Sequence, residues 1–95
     1  MNIEYSELAI SDLQRLREFI EIKSPLAAQR IAQDLIKGID KLKIFPQLGL
    51  AVQRASDPSV IRDLYINNYT VRYLITENVI FILRVWHNKE NEKNM

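Results

Sequence analysis

Between Val60 and His87 the chain holds three runs rich in β-branched and aromatic residues, separated by the polar pairs Asn67-Asn68 and Glu77-Asn78. Short apolar runs divided in this way predict strands joined by tight turns. Asn67-Asn68 is the stronger turn signal, because asparagine tolerates the left-handed backbone that two-residue hairpins need. In the third run Val79, Phe81, Leu83 and Val85 alternate with Ile80, Ile82, Arg84 and Trp86. Both sets are apolar near the middle, which predicts a strand inside its sheet rather than at an edge. The segment before this meander has helical spacing, so the fold class is α+β. A helical pair can cover only one face of such a sheet, and the other stays free for function.

The helical part begins after Ile3–Tyr5, a candidate short strand. Leu8, Ala9, Leu13, Leu16, Phe19 and Ile20 recur every three or four positions, with Asp12, Arg15, Arg17, Glu18 and Glu21 on the remaining, wet face. Ser24-Pro25 then starts a second helix: serine offers an N-cap oxygen, and proline at the first helical position lacks an amide that would be unpaired anyway. Ala28, Ile31, Leu35, Ile39 and Leu42 form its stripe, Ala27, Ala32 and Ile36 widen it, and Pro46 ends it. Gly38 inside this helix costs about 1 kcal/mol relative to alanine. Either the partner helix approaches closely there or the helix is imperfect. The connection Gln47–Ser59 has no period and is long for a small domain, a length that suits a working loop as well as a plain surface one. The expected order is β-α-α-β-β-β, with the two helices antiparallel on one face of a small antiparallel sheet. The domain spans 1–88, and the polar stretch 89–95 reads as a frayed tail rather than another element.

Composition excludes several classes. With 95 residues the chain buries about 60–65% of its unfolded surface, enough for one core. No apolar run approaches the roughly 18 residues of a membrane span, and the start lacks the pattern of a signal peptide, so a cytoplasmic protein is expected with no membrane partner. Cysteine is absent and His87 is the only histidine, which removes thiol chemistry and makes a metal site or cofactor unexpected. A net charge of +1 provides little attraction for nucleic acid, and no direct high-affinity binding to it is expected.

Six pieces of the chain, taken in order, carry a resemblance. They are Ala9, Asp12 and Leu13; Pro25, Ala27 and Ala28; Leu42, Pro46 and Gly49; Arg62 and Leu64; Tyr69 and Tyr73; and Val85 with His87. Together they resemble the RelE/ParE superfamily of toxins from bacterial toxin–antitoxin pairs, over nearly the whole length. The resemblance implies a helical hairpin on a small antiparallel sheet, and a cognate antitoxin that neutralises the toxin.

The superfamily has two activities. RelE-like toxins cleave messenger RNA on the ribosome, which requires activating a 2′-hydroxyl, stabilising phosphorane charge and protonating a leaving oxygen. On that reading Arg72, Arg84, His87 and Lys89 are the catalytic candidates, with the ribosome and mRNA as partners. That branch commonly has arginine directly after the first tyrosine of the Tyr69/Tyr73 pair, whereas this chain has Thr70. ParE-like toxins instead bind DNA gyrase and trap it on cleaved DNA. The resemblance is closer to this branch, which implies a gyrase-inhibiting, growth-arresting toxin without enzymatic chemistry and with Arg54, Arg72, Arg84, Trp86 and Lys89 as target-binding residues. A third reading is a degenerate toxin that only binds its antitoxin. Beside these roles stand plainer ones: His87 closing the last strand, Trp86 capping the core, the arginines paired with Asp57, Asp63 or Glu77, and Tyr65, Tyr69 and Tyr73 as ordinary strand aromatics.

Overall fold

Ser6 is where the first strand becomes a helix. Its hydroxyl donates to the Leu83 carbonyl at 2.9 Å and accepts from the Ala9 amide at 3.0 Å, so one side chain both continues a ladder and caps a helix. The computed structural model describes residues 1–93, with side chains as far as Glu90. The chain runs β1 (Asn2–Tyr5), α1 (Glu7–Lys23), α2 (Pro25–Asp40), a 3-10 turn (Lys41–Lys43), β2 (Leu50–Ala51), β3 (Ile61–Ile66), β4 (Tyr69–Ile75), β5 (Val79–His87) and α3 (Asn88–Lys93). Ser24 ends α1, its amide bonding the Ile20 carbonyl, and also caps α2 through the Ala27 amide at 3.1 Å.

The five strands lie in the order β1-β5-β4-β3-β2. The three-stranded meander is as its sequence predicts, and Asn67 in its first turn has φ 54°. The sheet is nevertheless mixed, not purely antiparallel: β1 pairs parallel with β5, Ile3 beside Ile80. Between them the chain runs through both helices and then β2, β3 and β4, a connection long enough for a parallel pair. β2 is a two-residue strand inside the expected loop, pairing Leu50 with Asp63 and Ala51 with Arg62.

Four local expectations are corrected. Strict alternation in β5 breaks at a bulge: Arg72 pairs with Arg84 and Tyr73 with Ile82, leaving Leu83 as the extra residue. Ile80, Ile82 and Val85 therefore share the buried face, each at 0% exposure, while Phe81, Arg84 and Trp86 share the other. On α1, Asp12 is buried, whereas Leu8 and Phe19 are exposed. At Gly38 the close neighbour is a strand residue, not the partner helix: a Cβ there would lie 2.4 Å from Ile66 Cδ1. The tail forms α3 through residue 93, and residues 94 and 95 lie outside the described part. A capping box holds that helix. The Lys89 amide donates to His87 Nδ1 at 3.1 Å, and Glu90 accepts from the His87 amide at 3.0 Å.

The core joins Ala9 and Leu16 of α1, Leu35 and Ile39 of α2, and Leu42 to Leu64, Tyr69, Val71, Tyr73, Ile80, Ile82 and Val85 of the sheet. Tyr73 also fixes the loop before β2. Its hydroxyl donates to the Pro46 carbonyl at 2.7 Å and accepts from the Gly49 amide at 2.8 Å. Arg62 clamps the same loop through the Gly49 carbonyl at 2.8 Å. A Cβ on Gly49 would meet Asp63 O and Tyr73 Oη at 2.8 Å, so only glycine fits.

Candidate functional site

The face of the sheet away from the helices is organised as three rows across β3, β4 and β5. Register places Ile61, Leu74 and Phe81 in an apolar row, Asp63, Arg72 and Arg84 in a charged row, and Tyr65, Thr70 and Trp86 in a third. The bulge at Leu83 makes this possible, since without it Arg84 and Trp86 would fall out of step with Phe81.

Arg72 and Arg84 face each other directly, and like charges in that position repel. Each guanidinium is held by its own carboxylate instead. Arg72 Nε and Nη2 donate to the two Asp63 oxygens at 2.8 and 2.9 Å, and the guanidinium lies 5.0 Å from the Trp86 ring centroid. Arg84 turns the other way and grips Asp12 of α1 with Nε at 2.9 Å and Nη2 at 3.1 Å. The hydrogen bonds to Asp63 and Asp12 raise both arginines above their ordinary range. Burial by itself would push the Asp12 carboxyl up; the Arg84 hydrogen bonds, the Val85 amide and the charges of Arg84 and Arg15 outweigh it and hold the carboxyl low.

The ion pairs continue past Asp12. Arg15 lies 3.7 Å from the Asp12 carboxylate and also pairs with Glu90 of α3. Below it, the Thr70 hydroxyl donates to Asn88 Oδ1 at 2.5 Å. The C-terminal helix is thus fastened both to α1 and to the sheet.

Of the residues singled out from sequence, Arg72, Arg84 and Trp86 come together on this face. His87 does not join them. It lies on the helix side, edge-on to Tyr69 with ring centroids 5.1 Å apart, and serves as the N-cap of α3. Arg54 is in the exposed loop between β2 and β3, off the three rows, and Lys89 is exposed on α3. Asp57 bonds Ser59 rather than an arginine. Of the carboxylates that hold the arginines, Asp63 was among the partners read from the sequence, whereas Asp12 and Glu90 escaped sequence reasoning. Asp12 had one signal, its place in the Ala9/Asp12/Leu13 motif. Among the described residues no group of three or more His, Asp or Glu side chains is placed to hold a metal ion.

A second feature lies on the far side of the helices. Ile10, Leu13 and Ile20 of α1 and Ile31, Ala32 and Ile36 of α2 line an apolar groove of about 570 Å³.

Comparison with known proteins agrees with this architecture. A solved structure of a chromosomal ParDE toxin–antitoxin system from P. aeruginosa superposes with a TM-score of 0.74 over 92% of this chain and 95% of that one, at 19% identity. The toxin RelE2 of Caulobacter vibrioides is 32% identical over 79 residues, 83% of this chain and 85% of that protein. The profile of the ParE toxin of type II toxin–antitoxin systems, parDE, matches residues 3–92. A match of that extent, on a chain with the expected helical hairpin and sheet, places this protein in the ParE toxin family of the RelE/ParE superfamily.

Proposed function

We propose that this toxin arrests growth by binding DNA gyrase and stabilising its cleaved-DNA state, with no covalent chemistry of its own. One observation carries the reading: both arginines of the open face are already neutralised bidentately from within the chain, Arg72 by Asp63 and Arg84 by Asp12. Phosphoryl transfer requires free cations converging on the reacting phosphate together with a proton donor. Here the cations are paired, and His87 faces the opposite side with Nδ1 engaged as a cap. The open face instead offers a half-buried tryptophan stacked on a held guanidinium, beside an apolar row. Aromatic and arginine anchors of this kind dominate protein interfaces. Arg72, Arg84 and Trp86 form the centre of the target surface on this reading, with Arg54 and Lys89 at its edge.

The partner that restrains the toxin is its cognate antitoxin, and the groove between α1 and α2 suits an apolar helix with anchors three and four residues apart. On this reading the protein acts in the cytoplasm, where both partners would be met. Among the described residues no helix is long and apolar enough to cross a membrane.

The RelE-like reading, a ribosome-dependent mRNA endonuclease, is favoured by one specific finding, the 32% identity to a toxin named RelE2. Pulse-labelling separates the two. The chain is induced alone in a bacterium, and DNA and protein synthesis are followed over the first minutes. Early failure of DNA synthesis with a DNA-damage response is the expected result. Early failure of protein synthesis would transfer the assignment to Arg72, Arg84, His87 and Lys89 as catalytic groups, and absence of arrest would leave a module that only binds antitoxin.

A further inference from the structure

α3 has no apolar side chain with which to join the core, being built from asparagine, lysine and glutamate throughout Asn88–Lys93. A helix this short does not persist in water without outside contacts. At its first residue the Thr70 hydroxyl donates to Asn88 Oδ1 and the Asn88 amide donates to the Asn68 carbonyl at 2.9 Å. Glu90 supplies the rest. One of its oxygens accepts from the His87 amide, and the other pairs with Arg15, which ties α3 to α1.

Arg15 stands between two carboxylates of unequal depth. Its Nη1 is on Glu90, and its Nη2 lies 3.7 Å from Asp12 Oδ1, beyond hydrogen-bond distance. That same Oδ1 accepts from Arg84 Nη2 at 3.1 Å, while Oδ2 takes Arg84 Nε and the Val85 amide. With α3 docked, two guanidinium groups face two carboxylates and the cluster is neutral. Without Glu90 the same two arginines share Asp12 alone, and the cluster carries a net positive charge. Asp12 has a side chain only 6% exposed and cannot move to them, whereas the Arg15 side chain, 51% exposed and one helical turn away, can move to it. A shift of about an ångström brings Nη2 onto Oδ1.

We propose that α3 is a latch on the target surface. Docked, Glu90 occupies Arg15 and leaves Asp12 to Arg84; released, Arg15 takes Asp12 Oδ1, and the outer edge of the Arg84 guanidinium is freed to bind a carboxylate of the target protein. Arg84 keeps its Nε bond to Oδ2 and so stays in position on the open face. Release of α3 and capture of the acidic group then favour one another, because each raises the population in which the other occurs. The latch rests on the gyrase-binding reading above, in which Arg84 is part of the target surface, and it assigns Arg15 and Glu90 as positioning residues for Arg84. Exposed pairs of the Arg15–Glu90 kind hold weakly, which suits a contact that has to open.

Inhibition of gyrase supercoiling by the purified full chain tests this, with amide exchange at Lys89 in the free chain reporting the state of α3. In Glu90→Ala and in Arg15→Ala the Lys89 amide should exchange at least about threefold faster than in the wild type, since each removes the tie between α1 and α3. Inhibition should then separate the two. Glu90→Ala should inhibit at about one-third of the wild-type concentration, because Arg15 is left to contend for Asp12. Arg15→Ala and the double variant should need at least the wild-type concentration, because nothing then contends with Arg84. A helix that served only as a structural clasp would shift both single variants in the same direction. Glu90→Ala no more potent than the double variant, or Lys89 exchange unchanged in Glu90→Ala, overturns the latch and leaves the gyrase reading intact. A wild-type chain that does not inhibit gyrase overturns both.

Discussion

Asp12 and Arg84, 72 positions apart, form a bidentate pair that continues the sheet where β1 has ended. β1 pairs with β5 only as far as Tyr5 and Ile82. Beyond it, the Ser6 hydroxyl donates to the Leu83 carbonyl and Asp12 Oδ2 accepts from the Val85 amide at 2.9 Å, so the side chains of the α1 N-cap and of α1 itself substitute for missing strand backbone. Asp12→Ala leaves a buried amide without an acceptor and a guanidinium without its carboxylate. Loss of a charged hydrogen-bond partner of this kind costs about 2–3 kcal/mol. Urea unfolding should show that loss as a lower midpoint at unchanged slope.

The same carboxylate makes stability depend on acid. Its folded-state value lies below the ordinary one, so the unfolded chain takes up the proton first as pH falls. Its contribution is therefore complete above about pH 4 and is lost on further acidification. Asp12→Asn should flatten that part of the stability profile while lowering stability at pH 7. A wild-type profile that is equally flat below pH 4 would remove Asp12 from the account.

How much of this was legible in the sequence depends on the range of each interaction. The meander was readable because Asn67-Asn68 and the alternating runs are local signals, and Ser24-Pro25 marked the junction of α1 and α2 for the same reason. The bulge at Leu83 left no trace, since both faces of β5 are apolar at its centre and a shift of one residue changes nothing in the pattern. Asp12 read as a wet helix position because the group that compensates its burial is on another element. α3 was missed because its N-cap is histidine rather than serine, threonine or aspartate, and because the Arg15–Glu90 pair spans the whole fold. The three rows of the open face required register, which no single strand contains.

Gly38 offers a test of packing against propensity. Alanine is favoured over glycine by about 1 kcal/mol in a helix interior. The added methyl would overlap Ile66 Cδ1 and Cγ1, at 2.4 and 2.9 Å, and a β-branched side chain has few rotamers in which to retreat. Gly38→Ala should therefore destabilise the wild-type chain. In an Ile66→Ala background the same change should become neutral or stabilising, and a double-mutant cycle without such coupling would show that the two residues are not in contact.

The anchoring of the loop before β2 predicts a separate effect. Tyr73→Phe keeps the ring but leaves the Gly49 amide and the Pro46 carbonyl without the hydroxyl that serves both. Two hydrogen bonds of about 1 kcal/mol each are at stake. Stability should fall by about 1–2 kcal/mol, with faster amide exchange at Gly49. Exchange at Gly49 unchanged from wild type would mean the loop has another anchor.

The open face itself is tested by replacing Arg84 and Trp86 with alanine together. Trp86 supplies the aromatic surface on which Arg72 rests, and Arg84 lies opposite Arg72 in the charged row, so the double change dismantles the centre of the three rows. If this face contacts the target, growth arrest on induction should disappear. Because Arg84 also satisfies Asp12, part of the loss could come from instability, and the two causes give different signatures. The groove between α1 and α2, proposed above for the antitoxin, is on the other side of the molecule, so on that proposal a folded variant should retain its antitoxin. Retained antitoxin binding with lost toxicity assigns the effect to the face, whereas loss of both reports unfolding. A variant that binds antitoxin and still arrests growth would move the target contact away from Arg84 and Trp86, to the loop carrying Arg54 or the helix carrying Lys89.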